Sequence, residues 1–128
     1  MKGYITNIEK DTLENTDYRR VVYTAKNCQL VLMNIPQGIE IGEEIHHLDQ
    51  FIRIEEGECE VILDGVSHQL TADMAVIIPE GVKHNVINNG NTSLKLYTLY
   101  TPPEHKDGTV QKTKADEKEE HFDGVTSE

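Results

Sequence analysis

The sequence predicts an all-β fold, an antiparallel sandwich or barrel, on three observations. Short segments rich in Val, Ile, Leu and Tyr recur at 20–24, 29–35, 50–55, 60–63, 67–70, 75–78, 84–88 and 94–100, all of strand length. Turn chemistry separates them, most clearly at Asp64-Gly65, because both positions of a two-residue hairpin turn want positive φ. The strands are short and regularly spaced, which favours antiparallel pairing over an α/β sheet.

In chain order, residues 8–15 carry a weak signal for a short helical turn ahead of the first strand. The two cysteines, Cys28 and Cys59, sit in the strand-like contexts NCQLVLM and GECEVIL with no CxxC pattern. They read as small buried hydrophobes rather than a metal or redox pair. The arms 60–63 and 67–70 close on Asp64-Gly65. AVII at 75–78 reads as a buried strand running into the turn Pro79-Glu80-Gly81, and Asn88-Asn89-Gly90-Asn91 forms the next turn. Pro102 and Pro103 stop the last strand. Residues 1–103 therefore form a single barrel domain. Residues 104–128 are charged, and the helix-forming stretch 114–121 has only Phe122 beside it to bury. They read as an extended, partly disordered acidic tail, placed to close over the barrel or a neighbouring subunit.

At 128 residues the chain has the length of one ordinary domain with one core. Hydrophobic residues make up 37% and no apolar run approaches membrane-spanning length, so a soluble protein is expected. The opening MKGYITNIEKDTLENTDYRR has neither the apolar region nor the cleavage site of a secretory signal, which makes the cytoplasm the default location. Lys and Arg number 12 against 23 Asp and Glu, a net charge of −11 with no basic cluster. That balance repels phosphate backbones and anionic lipids, so nucleic acid and membrane are poor partners.

The chemistry concentrates in GIEIGEEIHHLDQFIRIEEG, residues 38–57. Side chains on a regular strand alternate faces, so Glu44, His46 and Gln50 point one way while His47 and Asp49 point the other. Ile52 and Ile54 continue the face of Gln50 and mark it as interior. Polar groups are thus aimed inward over an apolar floor. A carboxylate buried without a partner costs on the order of several kcal/mol, which demands a cation or a hydrogen-bond network. His84 opens the strand after the Pro-x-Gly turn, where an antiparallel barrel can bring it opposite this cluster. His68 lies in a hairpin arm and reads as a surface residue. His105 and His121 lie in the tail, and His105 reaches the site if that tail folds over the barrel mouth.

These two segments resemble the two motifs of the cupin superfamily. Gly38 is followed by five residues, Glu44-x-His46, three residues, Gln50, six residues and Gly57, where the family has Gly, His-x-His, Glu and Gly. Asp73 takes the place of the first Gly of the second motif, and Pro79, Gly81, His84 and Asn88 follow at the family spacing. Fifteen residues separate Gly57 from Asp73, similar to the compact microbial members. The resemblance implies a double-stranded β-helix, a jelly-roll barrel with a central polar pocket.

It further implies that Glu44, His46, Gln50 and His84 occupy the family's metal-ligand positions. Two of them depart from the pattern: Glu44 stands for a His and Gln50 for a Glu. The formal ligand charge is unchanged, but the Gln50 amide oxygen is a feebler donor than a carboxylate. Two imidazoles and two oxygens suit a divalent Mn, Fe, Ni or Zn ion. Against this stands a metal-free network in which Glu44, His46 and Gln50 satisfy one another. His47 joins the ligands only if a bulge after Ile45 reverses its face.

The functions implied are a metal-dependent enzyme acting on a small oxygenated metabolite, of isomerase or dioxygenase type, or a non-catalytic small-molecule-binding cupin. No Arg or Lys is visible at the family's pocket positions except Arg53, whose parity turns it away, so a neutral or metal-chelating ligand is favoured over a phosphate. Small relatives also imply a homodimer, with 20–24 a candidate exchanged strand and Phe51 a candidate interface residue.

Overall fold

The computed structural model describes residues 2–128. A short helix α1 (Ile8–Glu14) precedes β1 (Arg19–Thr24), β2 (Gln29–Ile35), β3 (Asp49–Glu56), β4 (Glu58–Leu63), β5 (Val66–Thr71), β6 (Ala75–Ile78), β7 (His84–Ile87), β8 (Leu94–Thr101) and β9 (Val110–Gln111). The strands form two sheets, one ordered β6-β3-β8-β2-β1-β9 and one ordered β5-β4-β7. Every pairing is antiparallel. The architecture is the jelly-roll barrel. Among the described residues no helix is long and apolar enough to cross a membrane.

Alternation along the two central strands sets the character of the interior. On β8 the inward residues are Leu94, Leu96, Thr98 and Tyr100; on β3 they are Gln50, Ile52 and Ile54. The register sets Ile54 opposite Leu96, Ile52 opposite Thr98 and Gln50 opposite Tyr100. One end of the barrel is therefore apolar, joined there by Cys59, Val61 and Val86 from the smaller sheet. The other end is polar. Each fully buried Ile, Leu or Val of that core contributes about 1.5–3 kcal/mol, and this apolar end is what permits a polar one.

The turns behave as their residues require. Asp64 (φ 46°) and Gly65 (φ 81°) are both left-handed, as the β4–β5 hairpin demands. Gly57 (φ 91°) is constrained twice, since a Cβ there would also sit 2.8 Å from the Ser93 carbonyl oxygen. Asp73 (φ 73°) adopts the conformation for which the family motif uses glycine. Aspartate tolerates it better than most side chains.

Three expectations need correction. Cys28 is exposed, because it belongs to the β1–β2 turn, where Ala25 N–H donates to its carbonyl (2.9 Å); only Cys59 is buried. The AVII segment is not a buried strand: β6 is the edge of the larger sheet, and Ile77 is 66% exposed. The run from 44 to 50 is not one regular strand, since β3 begins only at Asp49. The inward alternation nevertheless persists through it, with Leu48 and Gln50 buried and His47 and Asp49 exposed.

The segment beyond residue 103 is laid against the barrel. Its β9 pairs with β1, Arg19 opposite Gln111 and Arg20 opposite Val110. A single 3-10 turn (Lys114–Asp116) follows, and Ser127 N–H donates to the Thr24 carbonyl at 2.9 Å. Both edges of β1 are thus occupied within the chain, by β2 and β9.

Candidate metal centre

Backbone pairing brings the two motif segments together. Glu44 and His84 form an isolated antiparallel bridge: Glu44 N–H donates to the His84 carbonyl (2.8 Å) and His84 N–H to the Glu44 carbonyl (2.9 Å). The Pro79–Gly81 turn is fastened alongside, with Gly81 N–H donating to the His46 carbonyl (3.0 Å) and Glu80 N–H to Asp49 Oδ1 (2.9 Å). The Pro-x-Gly spacing therefore acts by locking one motif onto the other. The ligand-type atoms of Glu44, His46 and His84 all lie within 4.8 Å of one another. His46 Nε2 is 3.8 Å from Glu44 Oε2, and the two imidazole centroids are 5.1 Å apart.

The donor chemistry fits a divalent cation. His84 Nδ1 lies 2.8 Å from the Val82 carbonyl oxygen and donates to it, which leaves Nε2 with a lone pair facing the site. Gln50 is buried; its Nε2 donates to Thr98 Oγ1 (3.1 Å), while its Oε1 is buried with no hydrogen-bond partner. An orphaned acceptor of this kind is normally satisfied by something outside the protein. Neighbouring ligands of an ion held at about 2.1 Å stand about 3.0–3.4 Å apart, so small side-chain rotations would close the cluster around one. His47 is exposed and plays no part, and His68 is exposed on β5.

Electrostatics at the cluster follow from burial. Desolvation holds the Glu44 carboxyl above the usual carboxylate range, against the opposing pull of Arg19 and His84. It also lowers the His46 imidazole, with Glu104 working the other way. Burial pushes the Tyr18 hydroxyl up to about 12 and His105 down to about 3, so His105 is neutral.

Three residues not expected at the site, Gln29, Glu104 and Arg19, complete its mouth together with His105. Gln29, fully buried on β2, donates from Nε2 to the His105 carbonyl (2.7 Å) and accepts at Oε1 from the N–H groups of Glu104 (3.3 Å) and His105 (3.0 Å). That anchor lays the segment after Pro103 across the barrel opening. Glu104 then places one carboxylate oxygen 3.8 Å from His46 Nδ1 and the other 3.0 Å from His121 Nδ1. His105 does reach the site, its ring edge-on to Tyr100 at 5.1 Å. Arg19 projects inward from β1, held by Gln111 Oε1 (2.7 Å) and Glu117 Oε2 (3.1 Å), with its guanidinium 5.3 Å over the ring of buried Tyr18.

The pocket thus contains an arginine after all. Its parity with the core residue Val21 was the available signal. Arg53, as expected, lies on the outer face, paired with Glu55 and Asp73.

Comparison with known proteins agrees with this geometry. A family described as a cupin domain matches residues 31–100. A solved structure from Bacillus halodurans, BH2720, superposes with a TM-score of 0.88 at 43% identity, covering 90% of this chain and 92% of that one. The protein YrkC of Bacillus subtilis is 44% identical over 122 residues, and protein L612 of Acanthamoeba polyphaga mimivirus 43% over 113. Those alignments cover 90% and 84% of this chain, and span 66% and 70% of the longer relatives.

Proposed function

Because the chain belongs to the cupin domain family, we propose that it is a metal-dependent cupin enzyme acting on a small oxygenated metabolite by isomerase- or dioxygenase-type chemistry. The observation that carries this reading is the convergence of Glu44, His46 and His84 from two segments, in a barrel where buried Gln50 Oε1 lacks any partner. In this reading Glu44, His46, Gln50 and His84 hold one divalent ion of the Mn, Fe, Ni or Zn type. When bound, the ion supplies Lewis acidity toward a substrate oxygen. The chain's own residues do the rest. Tyr100 and neutral His105 wall the cavity, and Glu104 orients His46 from behind. The segment held by Gln29 shields the opening from water. The reading takes the protein as cytoplasmic.

A second reading, a non-catalytic small-molecule-binding cupin, draws on one specific feature. Both nitrogens of His46 face carboxylate oxygens at 3.8 Å, Glu44 on one side and Glu104 on the other, so a proton taken up by the imidazole would balance these carboxylates in place of an ion. Elemental analysis of protein purified without chelators or a metal-binding tag separates the two. Stoichiometric Fe or Mn is expected for the enzyme. Metal-free protein carrying a small molecule in the barrel would overturn the enzyme reading in favour of the binder.

A further inference from the structure

Beside the charged cleft at the barrel mouth lies a second one with walls of a different kind. Ile45, Leu48, Pro102, Pro103 and Phe122 enclose about 430 Å³ there, within the size range of small-molecule pockets. Its polar side chains are three histidines and Glu104, whose carboxylate already faces His121 at 3.0 Å, and no Lys or Arg lines it. The cleft offers no permanent positive charge to an anionic group, and most of its open wall is hydrocarbon.

These apolar walls are reachable from solvent. Ile45 is 56% exposed between two candidate metal ligands, and Phe122 is half-buried. Phe122 is one of two phenylalanines in the chain and follows a charged run. Its N–H donates to the Glu104 carbonyl at 2.8 Å, which returns it from that run to the barrel. It becomes a wall of the cleft without filling it. Exposed apolar groups gathered around a concavity, with polar groups at its rim, mark a place for an apolar guest.

The two clefts meet. Glu104 and His121 line both, and the charged one, of about 330 Å³, runs on to Glu44. His46 stands between them, with Nδ1 toward Glu104 and Nε2 toward Glu44. The His121 side chain is 63% exposed and is held only by Glu104 and, at 3.9 Å, by Glu119. It can turn aside without disturbing the core.

We infer that the two clefts take the two ends of one ligand, a small oxygenated compound carrying an uncharged aromatic or branched-alkyl substituent. The oxygenated end lies in the cleft that reaches Glu44, and the hydrocarbon lies among Ile45, Leu48 and Phe122. This narrows the substrate class of the proposed enzyme. Only the contact of the oxygens with an ion rests on that reading.

Hydroxyacetone and 2-hydroxyacetophenone share one hydroxy-ketone head and differ in a methyl against a phenyl group. NMR titration of Zn-loaded and of chelated protein gives the affinity and the location of each. Wild type should bind 2-hydroxyacetophenone about tenfold more tightly, the gain expected from burying one face of a ring. Intermolecular NOEs should join its ring to the Ile45 and Leu48 methyls. Ile45→Ser and Phe122→Ser should each remove most of that preference while leaving hydroxyacetone affinity unchanged. Ile45 is exposed, so Ile45→Ser should melt close to wild type and keeps the test valid if Phe122→Ser releases the tail. The inference is overturned if the two compounds bind wild type equally, if neither binds, or if Ile45→Ser keeps the full preference. Metal content of the same samples tests the enzyme reading separately. Protein that loads no metal yet keeps the phenyl preference and its Ile45 dependence sinks that reading alone; protein that loads metal but shows no preference sinks this inference alone.

Discussion

Lowering the pH should destabilise the chelated protein through His105, and the size of the effect follows from its surroundings. The ring is edge-on to Tyr100 at 5.1 Å, its Nε2 is buried without a partner, and its backbone is fixed by Gln29. Burial, reinforced by Arg19 and by His46 and His121, holds the folded-state value down at about 3, against the usual 6.5 of histidine. The folded-state value is depressed, so the unfolded chain binds the proton first. Stability from this group is full above about pH 6.5 and is lost progressively as pH falls toward 3.

Between about pH 7 and about pH 5 the loss from His105 alone is about 2 kcal/mol, from 1.36 kcal/mol per pH unit below the unfolded value. His46 is shifted in the same direction and Glu44 in the opposite sense, so wild-type melts at two pH values do not isolate the term. The comparison with His105→Gln does. Glutamine keeps the backbone contacts and has no proton to gain. Urea titrations of both proteins at both pH values should show wild type losing about 2 kcal/mol more than the variant. Equal losses would mean that His105 is solvated or paired, and the picture of a closed, desolvated mouth would fall with it.

Gln50→Glu should raise divalent-metal affinity by about tenfold or more, equivalent to about 1.4 kcal/mol, while lowering the melting temperature of the chelated protein near neutral pH; loss of stability with no metal uptake by either form, read by calorimetric titration with Mn, Fe(II), Ni and Zn, would end the metal-site reading. Gly57→Ala should cost more than about 2 kcal/mol, since it combines a left-handed φ with a clash on the Ser93 carbonyl, whereas Gly65→Ala, left-handed but with nothing within 4 Å, should cost about 1 kcal/mol; equal melting shifts would show that the clash relaxes. The outer face of the larger sheet sets Phe51 opposite both Ile77 and Leu99, with Ile77 66% exposed, and sedimentation is expected to give a homodimer that Ile77→Glu converts to monomer; a monomeric wild type would rule this out.

What was legible in the sequence is what alternation and turn chemistry control. Strands β3, β7 and β8 follow the period-two pattern, and Asp64-Gly65 makes the turn that its φ requirements announce. Glu44, His46 and His84 converge because the motif spacing encodes a backbone bridge and a Pro-x-Gly clamp. The tail was not legible in the same way. Its placement depends on Gln29, a polar residue within the otherwise mostly apolar β2, and on a two-residue strand whose Gln111 pairs with Arg19, 92 residues away. (Val110–Gln111 is too short to show periodicity.) Arg19 was passed over because arginine reads as surface by default. Its burial needs Gln111 and Glu117, both contributed by the tail.

The exchange of roles between positions 44 and 50 has a physical rationale in the unequal burial of the two sites. Gln50 is 5% exposed and faces the interior beside Thr98, whereas the Glu44 side chain is 39% exposed and lines the open cleft. A carboxylate at 50 would be desolvated almost completely in the ion-free protein; at 44 part of its hydration survives. Moving the charge outward keeps one formal negative ligand while sparing the empty barrel that strain, and the neutral amide left behind satisfies one of its two ends on Thr98. The cost falls on ion affinity, because the Gln50 oxygen attracts a cation less strongly than a carboxylate would. On the metal-site reading, a barrel arranged in this way would tolerate loss of an ion better than it would retain one. The double exchange Glu44→His with Gln50→Glu should therefore bind metal more tightly than wild type yet melt lower when chelated; a variant that stays as stable as wild type after chelation would show that burial at position 50 is not what fixed the choice.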